Sequence, residues 1–165
     1  MKSNLGVMAT TTLAVVRTFL SASILVSVGG CAPDEADGLA EEAAAATVDI
    51  YTRMTAKDAA GFLRYRPDGG FSEFTPSSKE LERLDLGFFV DFFNSDNQVN
   101  LRAVDVEAQA FGDVAVVTAT RVGYIAAPDV SNPVEARYAL TMVWSKIDGE
   151  LKLRHLHYSP LPSSR

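Results

Sequence analysis

Arg121, His155 and His157 stand out because each falls among apolar residues at strand spacing. Alternate residues of a strand share a face. On that rule Ala115, Val117, Ala119 and Arg121 form one row, Tyr138, Leu140, Met142 and Trp144 a second, and Leu151, Leu153, His155 and His157 a third. A guanidinium, a phenol, an indole and two imidazoles are thus expected to look toward one apolar interior. A charge in such a row needs a partner or a ligand, because an isolated buried charge is costly. Three chemistries are open. Arg121 and the histidines satisfy one another's neighbours and buried carbonyls; or Arg121 with one histidine receives the carboxylate of a small organic acid, which suits guanidinium geometry; or the histidines do acid/base catalysis. Arg121, Tyr138, Trp144, His155 and His157 are therefore the candidate ligand-binding residues, and no residue is assigned a catalytic role. No metal site and no cofactor are expected: His155 and His157 could reach one ion, but no further histidine or cysteine completes the set, even if Glu73 contributes. A triad hydrolase is poorly supported, since no Gly-x-Ser-x-Gly elbow occurs.

The elements that must position these groups are legible from periodicity. Leu39, Ala43, Ala46, Ile50 and Met54 recur every three or four residues, which predicts a first helix with Asp37 as its cap and Glu41 and Glu42 in its first turn. A second helix is expected to open at Thr55, with Asp58 completing a capping box, and to end at Pro67 and the Asp68-Gly69-Gly70 turn. A brief strand over 71–75 precedes Pro76. Ser77 and Glu80 then offer a third cap, followed by Leu81, Leu84, Phe88 and Phe92 at helical spacing, with Phe89 and Phe93 widening the stripe. So many aromatics on one element need a broad apolar surface, as core or as ligand contacts.

Strands follow over 99–110, 114–126, 134–146 and 150–159, the last two joined by Asp148-Gly149. In the first of them the apolar parity switches from Val99 and Leu101 to Val104, Val106, Ala108 and Ala110, which predicts a bulge near Ala103. Helices followed by an antiparallel meander define an α+β class. The expected architecture is a cone-shaped curved antiparallel sheet covered by three N-terminal helices, one domain over 39–162, with a pocket inside the cone.

Residues 1–30 read as a signal peptide: Lys2 and Arg17 are the only charges before position 34, and the apolar run over 18–28 is short of the roughly 20 residues a spanning helix needs. A start at Met8 leaves the export reading intact. Val28-Gly29-Gly30-Cys31 resembles the lipobox of bacterial lipoproteins, and Cys31 is the only cysteine, so Cys31 is the expected lipidation site and membrane anchor, with 31–38 as a tether. The expected location is the bacterial cell envelope, the outer membrane where two exist because Ala32 follows the cysteine, or the exterior. Without Lys2 and Arg17, 13 of the 15 basic residues face 21 acidic ones, a formal charge of −8. Such a surface repels nucleic acid.

Over about 41–159 the chain resembles the nuclear transport factor 2-like superfamily, a cystatin-like roll that includes the SnoaL-like proteins and ketosteroid isomerase. It is most similar to the association domain of calcium/calmodulin-dependent protein kinase II. The resemblance rests on Trp144, Asp148-Gly149, His155, His157 and Ser159, on Gly112-Asp113 with Ala115 and Arg121, and on Phe74-Thr75-Pro76. It implies that Arg121 is offered to a pocket, and that a second pocket arginine is replaced here by Met142. Tyr51 lies near the family's donor tyrosine and joins the ligand-binding candidates, while Thr75 stands where isomerase chemistry needs a carboxylate base. Such domains commonly pair through the outer sheet face, here beside Thr141, Val143, Lys152 and Arg154, so a homodimer is expected. The functional expectation is a module that binds a small organic ligand or assembles with itself. The runner-up is a small isomerase, cyclase or hydrolase with His155 or Glu73 as base and Arg121 as anion holder. Kinase motifs are absent from the sequence.

Overall fold

The stripe of Leu39, Ala43, Ala46 and Ile50 is buried along one side of a long helix, α1 (Pro33–Thr55), in a computed structural model that describes residues 33–162. Two short helices follow, α2 (Ala59–Leu63) and α3 (Leu86–Asn94). The strands are β1 (Phe71–Phe74), β2 (Glu82–Leu84), β3 (Gln98–Phe111), β4 (Val114–Ala126), β5 (Ala136–Ile147) and β6 (Glu150–Pro160). They form one open sheet in the order β2-β1-β6-β5-β4-β3. Every pairing is antiparallel except β1 with β6, which is parallel, so the expected purely antiparallel sheet gains one parallel contact at its β1 end.

Two hydroxyls fasten α1 to the sheet. Thr47 accepts a hydrogen bond from the Trp144 indole at 3.1 Å while donating to the Ala43 carbonyl at 2.9 Å. Both residues are fully buried, so this indole proton has its partner inside the core. At the end of α1, Thr55 receives the Leu101 N–H at 2.8 Å and donates to the Leu101 carbonyl at 3.0 Å. Thr55 therefore closes α1 against β3 rather than opening α2. Asp58 takes the capping role instead, its carboxylate accepting the Gly61 N–H at 2.9 Å.

Other local expectations shift for similar reasons. The first helix begins at Pro33, so Asp37 is not its cap and the stretch read as a tether is helical from Pro33 onward. The third helix begins only at Leu86, where the Asp85 carboxylate accepts the Phe88 N–H at 3.0 Å. Glu82, Arg83 and Leu84 pair with β1 instead. The expected cap residue Ser77 belongs to a turn held by Thr75 and Ser78, whose hydroxyl accepts the Thr75 N–H at 2.9 Å.

Two bulges bend the sheet. In β3 the register slips between Val104 and Glu107, with Asp105 in the left-handed region at φ 53°, close to the bulge expected near Ala103. In β6, Val143 pairs with His155 but Trp144 pairs with Leu153, leaving Arg154 as the extra residue. Gly123 in β4 has φ 130°, and a Cβ there would lie 1.9 Å from the Asn100 carbonyl oxygen, so only glycine admits this approach of β3. The signal-peptide stretch and Cys31 lie outside the described residues.

Thr47→Val keeps the shape of the side chain but orphans the Trp144 indole N–H. Urea denaturation followed by the fluorescence of this sole tryptophan should show a loss of about 1–3 kcal/mol. Thr47→Ser should retain most of the stability.

Candidate functional site

Between the helices and the concave side of the sheet lies a cavity of about 280 Å³. Its walls are mainly apolar. Phe62 and Phe71 meet Phe89 with ring centroids 4.7 and 5.6 Å apart, and Phe88 and Phe92 from α3 complete an aromatic side. Ile50, Met54, Met142, Leu153 and Leu156 supply aliphatic surface. The polar groups are few: Tyr51 from α1, Glu73 from β1, Arg121 from β4 and Tyr158 from β6, with Thr75, Ser77 and Glu82 also on the lining.

Arg121 is held without an ionic partner. Its guanidinium lies over the Tyr138 ring at 4.5 Å and the Tyr158 ring at 5.0 Å, so two aromatic faces carry its charge. Its Nε is buried and has no hydrogen-bond acceptor, and no ion pair engages it among the described residues. Tyr51 is equally unsatisfied: 3 % exposed, its hydroxyl is buried with no partner. Burial pushes that hydroxyl far above the ordinary tyrosine value, which keeps it a neutral donor.

Glu73 is 5 % exposed and accepts a hydrogen bond from the Tyr158 hydroxyl at 2.5 Å. Burial raises its carboxyl above the usual value, and the nearby charge of Glu82 adds to this. The Tyr158 hydrogen bond and the Arg121 charge pull the other way. Tyr158 is itself driven well above the ordinary phenol range, first by burial and then by the Glu73 charge. A wider groove of about 480 Å³ runs past Glu42, Asp49, Arg64 and Tyr65. Its polar groups are already engaged, with Asp49 accepting from Arg53 at 3.1 Å and from Tyr65 at 2.9 Å. The aromatic cavity is thus the better candidate.

The structure divides the residues expected to converge. Arg121 and Tyr51 line the cavity, and Tyr138 packs on Arg121. Trp144 is buried deeper, edge-on to Tyr65 at 5.5 Å and bonded to Thr47, and does not line the cavity. His155 and His157 do not face the cavity as the strand alternation predicts: the Arg154 bulge turns both to the opposite face, beside Ser72 and Phe74 of β1. There the Ser72 hydroxyl and His155 Nδ1 are 2.9 Å apart, and Phe74 meets the two imidazoles edge-on at 6.3 and 6.4 Å. Burial and the neighbouring His157 lower the His155 pKa, against the Ser72 hydrogen bond. Leu156 and Tyr158 take the inward places instead. Tyr158 was missed from the sequence, although the apolar spacing Leu151, Leu153, Leu156, Tyr158 carried the signal of a slip. Glu73, weighed as a base, does line the cavity.

Curved sheet, covering helices and a mostly apolar cavity with few polar groups define an α+β scaffold of the nuclear transport factor 2-like type. The model of the SnoaL-like domain family matches residues 43–163, and the chain belongs to that family. The hub of calcium/calmodulin-dependent protein kinase II from S. rosetta is 28 % identical, with 74 % of this chain and 96 % of that one covered at a TM-score of 0.60. A nuclear transport factor 2-like superfamily protein from Salmonella enterica is 15 % identical, covering 78 % and 95 % at a TM-score of 0.63. A putative dehydratase of the same fold family from Streptomyces avermitilis is 18 % identical, covering 77 % and 99 % at a TM-score of 0.59. No curated protein matches the chain.

Because native Glu73 keeps its proton where the unfolded chain has lost it, the native state binds more protons between the ordinary value of 4.5 and the raised one. Folding stability contributed by this group should fall as pH rises through that window and level off above it. Denaturation midpoints from pH 4.5 to 8 should show the slope, and Glu73→Gln should flatten it.

Proposed function

We propose that this domain binds a small apolar organic acid, whose carboxylate is received by Arg121 and Tyr51 inside the aromatic cavity. One observation carries the reading: two buried donors, Arg121 Nε and Tyr51 Oη, have no acceptor, and both residues line the same apolar cavity. Buried donors ordinarily find partners, and leaving them without one costs about 1–3 kcal/mol each. A carboxylate satisfies both at once. A guanidinium held by two aromatic faces keeps its full charge for an incoming anion. The cavity is at the small end of ligand sites, so a single ring or short chain fits it better than a polycyclic body.

Glu73 favours a second reading. A buried carboxyl facing a cavity that also holds a guanidinium has the parts for proton abstraction from a bound acid or ketone, with Glu73 as base and Arg121 as anion holder. The relative described as a putative dehydratase lends this some support. His155 plays no part in it, because it lies across the sheet.

The domain is exported in this reading and lipid-anchored through Cys31 at the cell envelope. It pairs with a second copy through the outer sheet face around Thr141 and Val143, where His155 and His157 now stand. The hub proteins among its relatives support self-association.

Calorimetry with a panel of aryl monocarboxylates, 3-phenylpropionate among them, tests the binding claim. Arg121→Leu should weaken binding by about ten- to a hundredfold, the worth of a charge-assisted hydrogen bond, and Tyr51→Phe by a few-fold. Equal binding by Arg121→Leu would contradict the assignment. Cys31→Ser should move the expressed protein from the detergent phase to the aqueous phase; unchanged partitioning would remove the lipid anchor.

A further inference from the structure

The charges around Glu73 come from four elements. Glu82 of β2 stands directly opposite it in the β1–β2 register, Tyr158 of β6 donates to its Oε1, Tyr51 comes from α1, and Arg121 from β4. Among the described residues Arg121 is the one cation on the cavity lining, against the carboxyls of Glu73 and Glu82. Arg121 and Glu73 share the space without forming an ion pair. A ligand carboxylate docked on Arg121 adds a further negative charge to a volume of about 280 Å³. Inside so small and apolar a space, two carboxylates interact with little screening, and both cannot stay ionised without a large penalty.

One of the two must take a proton, and the surroundings select which. The ligand's charge is favoured by the guanidinium and by the Tyr51 hydroxyl. Glu73 has the Tyr158 hydroxyl on one oxygen and the Arg121 charge nearby, but a carboxylate docked on Arg121 offsets that charge, and the burial of Glu73 and the Glu82 charge both oppose ionisation. We infer that the cavity takes its ligand as a monocarboxylate together with one proton, carried by Glu73. This rests on the binding reading above and adds a ligand class and a pH dependence to it. A dicarboxylate is discriminated against, because its second charge meets no second cation and confronts Glu73 and Glu82.

By linkage, affinity should weaken as pH rises above the free-state titration of Glu73, approaching about tenfold per pH unit until the liganded-state value is passed. Calorimetric titration of the purified protein with 3-phenylpropionate between pH 5.5 and 8, in PIPES and in imidazole, measures proton exchange directly. The expected result is uptake approaching one proton per ligand, with phenylsuccinate at least tenfold weaker. Glu73→Gln should bind with no uptake and no pH dependence, and at the upper end of the range about tenfold more tightly than the parent. Binding of 3-phenylpropionate without proton exchange would overturn the inference and leave the binding reading standing, as would uptake that persists in Glu73→Gln. If no monocarboxylate of the panel binds the parent protein, both fall together.

Discussion

A strand that gains one residue reverses the face of everything after it, and in β6 that residue is Arg154. Before the bulge, Leu151 and Leu153 pack into the core. Beyond it, Leu156 and Tyr158 face inward and the two histidines face out. The polar character of the cavity follows from this slip. With Tyr158 inside, Glu73 has a donor and Arg121 has a second aromatic face.

The two sides of the sheet then carry different chemistry. Among the described residues the cavity on the concave side is lined by one guanidinium, one buried carboxyl and two phenols that remain neutral, set among phenylalanines. Few polar groups in an apolar enclosure make each of them influential, because neither water nor salt screens them as at a surface. The convex side holds the Ser72, His155 and His157 group near the β1–β6 junction, where it bears on a surface rather than on a cavity. The long helix ties these parts together: Ile50, Tyr51 and Met54 line the cavity from the same element whose Thr47 and Thr55 are bonded into the sheet.

Much of this was readable beforehand, and what was misread has physical causes. The α+β class, the four long strands, the β3 bulge and the inward row ending at Arg121 all follow from periodicity that the structure keeps. Helix boundaries moved because several side chains compete for each cap. Asp58 and Asp85 won over Thr55 and Ser77, and nothing in the local spacing ranks them. The histidine row failed for a subtler reason. Strict alternation from Leu153 places His155 inward and Leu156 and Tyr158 outward, and the extra residue at Arg154 reverses all three. Convergence of Glu73 with Arg121 depends on the parallel β1–β6 pairing, which joins residues more than eighty positions apart and leaves no local trace.

In the proposed binding mode, Arg121 and Tyr51 present unsatisfied donors to an acid inside the cavity, on the face away from the histidines. Nitrogen-15 NMR of the Arg121 Nε–Hε group during titration with 3-phenylpropionate reads this at the atom concerned, with an Arg121→Lys variant to assign the signal. The expected result is a saturable downfield shift of the Arg121 Hε resonance while the ring signals of His155 and His157 stay in place. An unmoved Arg121 signal accompanied by shifting imidazole resonances would put the acid on the other side of the sheet and contradict it.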